Sequence, residues 1–197
     1  FTYIENCRQD DLALRDGVLD FVRTADVVNA LRRGMRIGHI GQRIDFFWTT
    51  IVNESELLER FRIEVLPIDM VQFIRHARER AVNNASAYRE EMLRLRAEMA
   101  IEERLDDGKL MHILAVRDQM LALAADHGLD GLALQDFDSL VEEIGAYCFL
   151  SNSMVSDTVP VSCESDIHGA VSNILLSRAG GRAEPVFLAD VTVRHPE

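Results

Sequence analysis

Carboxylate, amide and hydroxyl side chains directly follow several apolar segments that the sequence predicts to be β-strands. In open α/β sheets, ligands bind beyond the carboxyl ends of the strands, so these positions are the first candidates for chemistry. The same residue types also form turns and helix caps, and each one taken singly is better explained by such a structural role. The positions are Gly41-Gln42-Arg43, Asp69, Gln135-Asp136, Asn152-Ser153, Glu164-Ser165-Asp166 and Asp190.

Glu164 and Asp190 form the strongest pair among these candidates. Each carboxylate follows an apolar strand, and the two strands are predicted over 159–163 and 185–189. If the strands are parallel neighbours joined by a helix over 167–179, a right-handed crossover brings both carboxylates to one edge of the sheet. Two converging carboxylates suit a divalent cation that prefers oxygen ligands, such as Mn²⁺ or Mg²⁺, and they also suit general acid–base catalysis.

The other side chains around Glu164 are weaker candidates. Ser165 or Asp166 is expected to cap the helix that follows, which leaves Glu164 without an evident structural role. His168 lies close to this cluster, but an ordinary surface or core role explains it better than a direct role in chemistry. No base stands at a fixed spacing from Cys163, so this thiol is expected to be a buried packing residue.

The elements that must position these residues alternate between helix and strand. Pro67 indicates an edge strand or a strand end, and Asp69 is a suitable N-cap for the helix after it. The alternation favours an α/β fold, namely a layered Rossmann-like domain with a mostly parallel sheet and flanking helices. Helices are predicted over 16–33, 55–61, most of 70–127, 138–144 and 167–179, and strands over 1–6, 35–41, 62–68, 129–135, 147–150, 159–163 and 185–189.

The composition excludes several classes of protein. The chain has 197 residues and a formal net charge of −12, so it lacks the basic balance of a general nucleic-acid binder. No apolar stretch approaches the roughly 18–20 residues that a membrane span needs. Its three cysteines show no CxxC spacing and are odd in number, which favours a reducing compartment such as the cytoplasm over a disulfide framework.

Three segments together resemble the L-fucose isomerase and L-arabinose isomerase superfamily, and are most similar to the L-fucose isomerase-like proteins. They are 163–170 (Cys-Glu-Ser-Asp-Ile-His-Gly-Ala), 187–190 (Phe-Leu-Ala-Asp) and 36–43 (Arg-Ile-Gly-His-Ile-Gly-Gln-Arg). The resemblance implies a metal-dependent isomerase that interconverts an aldose and a ketose through an enediol. In it, Glu164 and Asp190 would hold Mn²⁺, or another divalent cation such as Mg²⁺ or Co²⁺, and would act as the acid–base pair. Gln135 would contact the sugar.

The resemblance also implies a larger, multidomain protein that forms a homo-oligomer. Residues 1–34 would end one domain, 35–182 would form a second and 183–197 would begin a third. Asp190 could then approach Glu164 across a domain boundary instead of along one sheet. The third metal ligand of the family is a histidine from much later in the chain, so His195 is not its counterpart. The 197 residues alone are therefore expected to be inactive.

Two other interpretations stay open at the level of sequence. One is a non-catalytic sugar-binding or regulatory relative on the same fold. The other is an α/β assembly module whose strand-end carboxylates are only helix caps. The sugar is also open, and L-fucose, L-arabinose, D-arabinose and a modified hexose all remain candidates.

Overall fold

A computed structural model of the protein describes residues 7–182, together with residues 4 and 186. The strands of this part of the chain are β1 (Met35–Ile40), β2 (Ile63–Ile68), β3 (Gly131–Leu134) and β4 (Val161–Ser162). They form a four-stranded sheet in the order β2-β1-β3-β4, and every neighbouring pair is parallel. The prediction of an α/β fold with a parallel sheet is therefore confirmed.

Helices cover both faces of this sheet, as an all-parallel sheet requires. The helices are α1 (Leu12–Arg33), α2 (Glu54–Phe61), α3 (Met70–Asn83), α4 (Ala85–Glu98), α5 (Asp107–His127), α6 (Ser139–Ile144), α7 (Phe149–Ser156) and α8 (Ile167–Ala179). One face of the sheet packs against α3, α5, α6 and α7, and the other packs against α1, α2 and α8. Helix α4 packs outside α3 and α5 through Tyr88 and Met92.

Local signals in the sequence place the sheet edge and several helix ends correctly. Pro67 lies in β2, which is an outer strand of the described sheet. The Asp69 side chain accepts a hydrogen bond of 2.8 Å from the Gln72 N–H and so caps α3. Gly128 ends α5 in the left-handed conformation, with φ of 61°.

The strand predicted over 147–150 is wrong, because this segment enters helix α7. Its buried positions are Cys148, Ser151, Asn152 and Val155, which recur at the spacing of one helix face. Ser151 and Asn152 are polar, so this face does not stand out as apolar in the sequence. The two aromatic residues of the segment, Tyr147 and Phe149, are both exposed.

Two predicted segments at the ends of the chain lie largely outside the described residues. They are the strand over 1–6 and the strand over 185–189 that precedes Asp190. The division of the chain at residues 34 and 182 stays a prediction. Among the described residues, no helix combines the length and the apolar character that a membrane span requires.

Arg178 ties α1 and α8 to the start of β3. Its guanidinium lies 2.9 Å from Asp26 on α1 and 3.0 Å from Asp130 just before β3. The Arg178 side chain is only 10% exposed, whereas that of Arg182, which also pairs with Asp26, is 59% exposed. Burial of Asp26 opposes its ionisation, but the hydrogen bonds and charges of Arg182 and Arg178 outweigh this and lower its pKa.

We expect Arg178→Met to destabilise the protein more than Arg182→Met. Removing Arg178 leaves two partly buried carboxylates with fewer donors, which should reduce the free energy of unfolding by about 1–3 kcal/mol. Removing the exposed Arg182 should cost at most about 0.5 kcal/mol. Urea unfolding of the intact protein at low and high salt measures the loss in the free energy of unfolding for each variant. Equal losses, or a loss for Arg178→Met that salt abolishes, would contradict the structural importance of Arg178.

Candidate active site at the carboxyl edge of the sheet

The carboxyl ends of the four strands meet at one edge, as expected for parallel strands. Hydrogen bonds between the strands continue past the last paired residues and hold the following segments together. The Gly41 N–H donates to Ile68 at 3.0 Å, and the Gln135 N–H donates to Ile40 at 2.9 Å. The Ser165 N–H donates to the carbonyl of Leu134 at 3.0 Å. The polar segments after β1, β3 and β4 therefore form one continuous surface.

The turn after β4 has an uncommon backbone conformation. Glu164 and Ser165 are consecutive, are not glycine, and have φ of 61° and 57°. The left-handed region costs an ordinary residue about 1–2 kcal/mol, and it persists only where the surroundings hold it. Ser165 is held by its N–H bond to Leu134 and by its hydroxyl, which donates to the Gln42 carbonyl at 3.0 Å. Such strain concentrates at functional sites.

Asp136 holds the other residue of this turn. It is the second residue after the end of β3 and is completely buried. One carboxylate oxygen accepts the Glu164 N–H at 3.0 Å, and the other accepts the Asn152 side-chain amide at 3.2 Å. Because donors from the protein surround it, Asp136 is a structural acceptor and not a candidate metal ligand.

The two cysteines near this carboxylate are poor nucleophiles. Burial raises the pKa of the Cys163 thiol to about 12, and the negative charge of Asp136 contributes further. The same causes raise the pKa of the completely buried Cys148 to about 12. Both thiols are therefore protonated at neutral pH, and only a thiolate would be reactive. This agrees with a packing role for Cys163, although its side chain is half-buried and not fully enclosed.

Gln135 lies at the same edge and presents a buried acceptor. The residue is 7% exposed, and its Oε1 has no hydrogen-bond partner among the described residues. The chain after β1 packs closely against it: a methyl group on Gly41 would come within 2.8 Å of the Gln135 Cβ. Gly41 also has φ of 88°, so this close approach needs glycine. A buried amide oxygen without a donor is suited to receiving one from a ligand.

The structure brings some predicted site residues together and gives others a structural role. Glu164 and Gln135 follow neighbouring strands at the same edge, whereas Asp190 lies outside the described residues. Asp166 caps α8, with its carboxylate accepting the Gly169 N–H at 2.9 Å. His168 is exposed on the first turn of that helix. Among the described residues, no group of three or more His, Cys, Asp or Glu is placed to hold a metal ion.

Asn152 reaches this edge by a different route from the one predicted. It belongs to the first turn of α7 and does not follow a strand. Its side chain still contacts Asp136, and it lies 3.5 Å from the Cys163 sulfur. Sequence reasoning noted Asp136 and Asn152 as strand-end residues but missed that they act together. The signal in the sequence was a carboxylate directly after the predicted apolar strand 129–135, because a carboxylate buried there needs donors from the protein.

A strip of aromatic rings lies beside this edge, and sequence reasoning missed it. The rings of Phe47 and Phe137 are 6.0 Å apart, those of Phe137 and Tyr147 are 5.8 Å apart, and Tyr147 stacks on Phe149 at 5.3 Å. Phe47 follows β1 and Phe137 follows Asp136, so the strip borders the candidate site. Tyr147 and Phe149 are at least half-exposed and present ring faces on which an apolar ligand surface can stack.

The two raised thiol pKa values predict a loss of stability at high pH. In the unfolded chain these thiols lose their protons near pH 8.5–9, whereas the folded protein keeps them until about pH 12. The free energy of unfolding should therefore fall as the pH rises above about 9, by up to about 1.4 kcal/mol per pH unit for each thiol. Urea midpoints measured across this range should fall more steeply for the wild type than for a variant carrying Cys148→Ala and Cys163→Ala. Identical slopes would show that the thiols do not contribute.

Comparison with profiles of known protein families finds no match for this chain. Curated proteins do show similarity. The chain is 25% identical over 187 residues to the sulfoquinovose isomerase of Alkalicoccus urumqiensis. It is 21% identical over 187 residues to the sulfoquinovose isomerases of Priestia aryabhattai and Priestia megaterium. In each case the similarity covers 92% of this chain and 40% of the relative.

The names of these relatives are consistent with part of what the sequence resemblance implied. Their name describes a sugar isomerase, which is the kind of enzyme that the resemblance implied, but it gives a different sugar. The chain spans about 40% of the length of these curated relatives. It is therefore similar, over most of its own length, to a part of proteins that are named as sugar isomerases.

Proposed function

We propose that this chain forms part of an aldose–ketose isomerase. The observation that carries the proposal is the similarity over 92% of the chain to proteins named sulfoquinovose isomerase. The structure is consistent with it, because Glu164 and Gln135 follow neighbouring parallel strands at the edge where α/β sheets bind ligands. The rest of the active site would come from parts of the protein outside the described residues.

Glu164 is proposed as a metal ligand together with Asp190. The described residues fit such a role in their chemistry, since carboxylate and amide oxygens are the donors that Mn²⁺ and Mg²⁺ prefer. When bound, the divalent cation would stabilise the negative charge of an enediolate as a Lewis acid. The remaining ligand would be a histidine from a C-terminal domain. The metal dependence, the homo-oligomeric state and the cytoplasmic location stay predictions.

The chain's own residues would move the proton and hold the sugar. Isomerisation transfers a proton between C1 and C2, and one of the carboxylates of Glu164 and Asp190 would take it from carbon while another group returns it to the neighbouring carbon. The buried Oε1 of Gln135 would accept a hydrogen bond from a sugar hydroxyl, which would satisfy this otherwise unpartnered atom. The exposed rings of Tyr147 and Phe149 would offer a stacking surface for the apolar face of the sugar.

A panel of aldoses, assayed with the intact protein and Mn²⁺, tests this function through the appearance of ketose. The panel contains sulfoquinovose, which the name of the relatives gives as their sugar, together with L-fucose, L-arabinose and D-arabinose. Glu164→Gln should abolish turnover and weaken Mn²⁺ binding, because it removes the negative charge and the proton acceptor. Glu90→Gln, at an exposed position on α4, is the matched control and should leave both unchanged.

The same measurements separate the competing functions. A sugar that raises the melting temperature of the wild type without ketose formation would indicate a binding or regulatory relative. A melting temperature that neither Mn²⁺ nor any sugar raises would indicate an assembly module. Turnover retained by Glu164→Gln would contradict the role assigned to this carboxylate.

Relief of backbone strain gives an independent prediction at Glu164. Glycine is not penalised at positive φ, so Glu164→Gly should be more stable than Glu164→Ala by about 1 kcal/mol, although both lack the carboxylate and turnover. Arg62 provides a matched pair, because it ends α2 with φ of 56°, far along the chain from the candidate site. Arg62→Gly should likewise be more stable than Arg62→Ala by about 1 kcal/mol, and both Arg62 variants should retain turnover. Thermal unfolding and turnover of the four variants test this; equal stability of the two Glu164 variants would contradict the strain.

A further inference from the structure

We propose that Asp136 is a positioning residue that fixes the direction of the Glu164 side chain. The inference rests on the proposed isomerase function, because it assigns Asp136 a role through Glu164. Nothing in the relatives' names or in the sequence resemblance assigns Asp136 any role.

A completely buried carboxylate is costly unless donors or cations surround it. Asp136 has no ion pair with an arginine, lysine or histidine among the described residues. Its donors are instead the Glu164 N–H and the Asn152 amide. A hydrogen bond from a backbone N–H to an ionised acceptor is stronger than one to a neutral acceptor. The sheet edge thus places a strong acceptor directly on the backbone of the proposed metal ligand.

The two residues of the strained turn are held by different parts of the protein. Ser165 is anchored by its backbone bond to Leu134 and its hydroxyl bond to Gln42, neither of which involves Asp136. The Glu164 N–H is instead accepted by the Asp136 carboxylate. Without this acceptor, the backbone of Glu164 would be able to relax toward the extended region that ordinary residues prefer. Such a change would swing the Cα–Cβ bond and move the carboxylate away from its position.

Asn152 orients Asp136 in turn. Its amide donates to the carboxylate oxygen that does not accept the Glu164 N–H. The Asn152 Oδ1 is buried and has no hydrogen-bond partner among the described residues. In Asp136→Asn, the new amide oxygen can still accept the Glu164 N–H. Rotation of the Asn152 amide would then let its Oδ1 accept the new N–H₂ group, so the geometry survives without the charge.

This asymmetry between Asp136→Ala and Asp136→Asn provides the test. In the intact protein with Mn²⁺, Asp136→Ala should lower kcat about 100-fold, the typical effect of misplacing a catalytic group by about 1 Å. It should weaken Mn²⁺ binding about 10–100-fold, as measured by direct titration. Asp136→Asn should retain most of the wild-type kcat and most of the wild-type Mn²⁺ affinity. The KM for the sugar at saturating Mn²⁺ should change little, because Gln135 is held by other contacts.

Ser151→Ala is the matched control for a purely structural effect. Ser151 is also completely buried on α7, and its hydroxyl donates to the Ile113 carbonyl at 2.7 Å, which lies on α5 and not in the turn. Its loss should lower the melting temperature without changing kcat or Mn²⁺ affinity. If Asp136→Ala does not fold, Asn152→Ala takes its place, with an expected decrease in kcat of about 10-fold, since it removes only the orienting donor.

The outcomes distinguish this inference from the function on which it rests. A folded Asp136→Ala variant, or Asn152→Ala in its place, with wild-type kcat and Mn²⁺ affinity would overturn the positioning role, while an inactive Glu164→Gln would leave the proposed function intact. A wild type that neither binds Mn²⁺ nor converts any aldose would overturn both. Equal losses in kcat for Asp136→Ala and Ser151→Ala would show that the effect is one of stability only.

Discussion

The parallel pairing of β1 with both β2 and β3 determines where the candidate site forms. Ile40, the last residue of β1, is paired with Ile68 on one side and Leu134 on the other, so three strands end at the same level. Parallel strands need a crossover between them, and here helices provide it on both faces. The residues after the strands are therefore far apart in sequence but close in space. The bond between the Ser165 hydroxyl and the Gln42 carbonyl spans 123 residues and follows from this constraint.

The site combines a rigid core with a locally unfavourable conformation. Every residue of β3 is buried, and the strand lies between apolar clusters on the two faces of the sheet. This rigidity lets Asp136 act as a fixed point at the strand end, since it cannot move without disturbing the core. The left-handed backbone at Glu164 and Ser165 is then stabilised by bonds to fixed partners, not by its own preference. A flexible loop would be unable to hold a carboxylate in this way.

Short-range signals explain which parts of the fold were predictable from the sequence. Pro67 and Asp69 have local roles, an edge strand and an N-cap, and both are confirmed. The segment 147–150 was not predictable in the same way, because a short apolar run does not distinguish a strand from a buried helix segment. The polar residues Ser151 and Asn152 hide the helical periodicity, and their burial depends on partners distant in sequence, such as the Ile113 carbonyl. The role of Asp136 was hidden for the same reason.

The two acidic residues in the turn after β4 show how a fold separates structural from chemical roles. Asp166 caps α8, so the helix start does not require anything of the Glu164 side chain. If Glu164 were only a turn residue, glycine or asparagine would suit its positive φ better than glutamate. The choice of glutamate is understandable if the direction of the Glu164 carboxylate matters to the protein, and this is the constraint that the proposed sugar isomerase would impose.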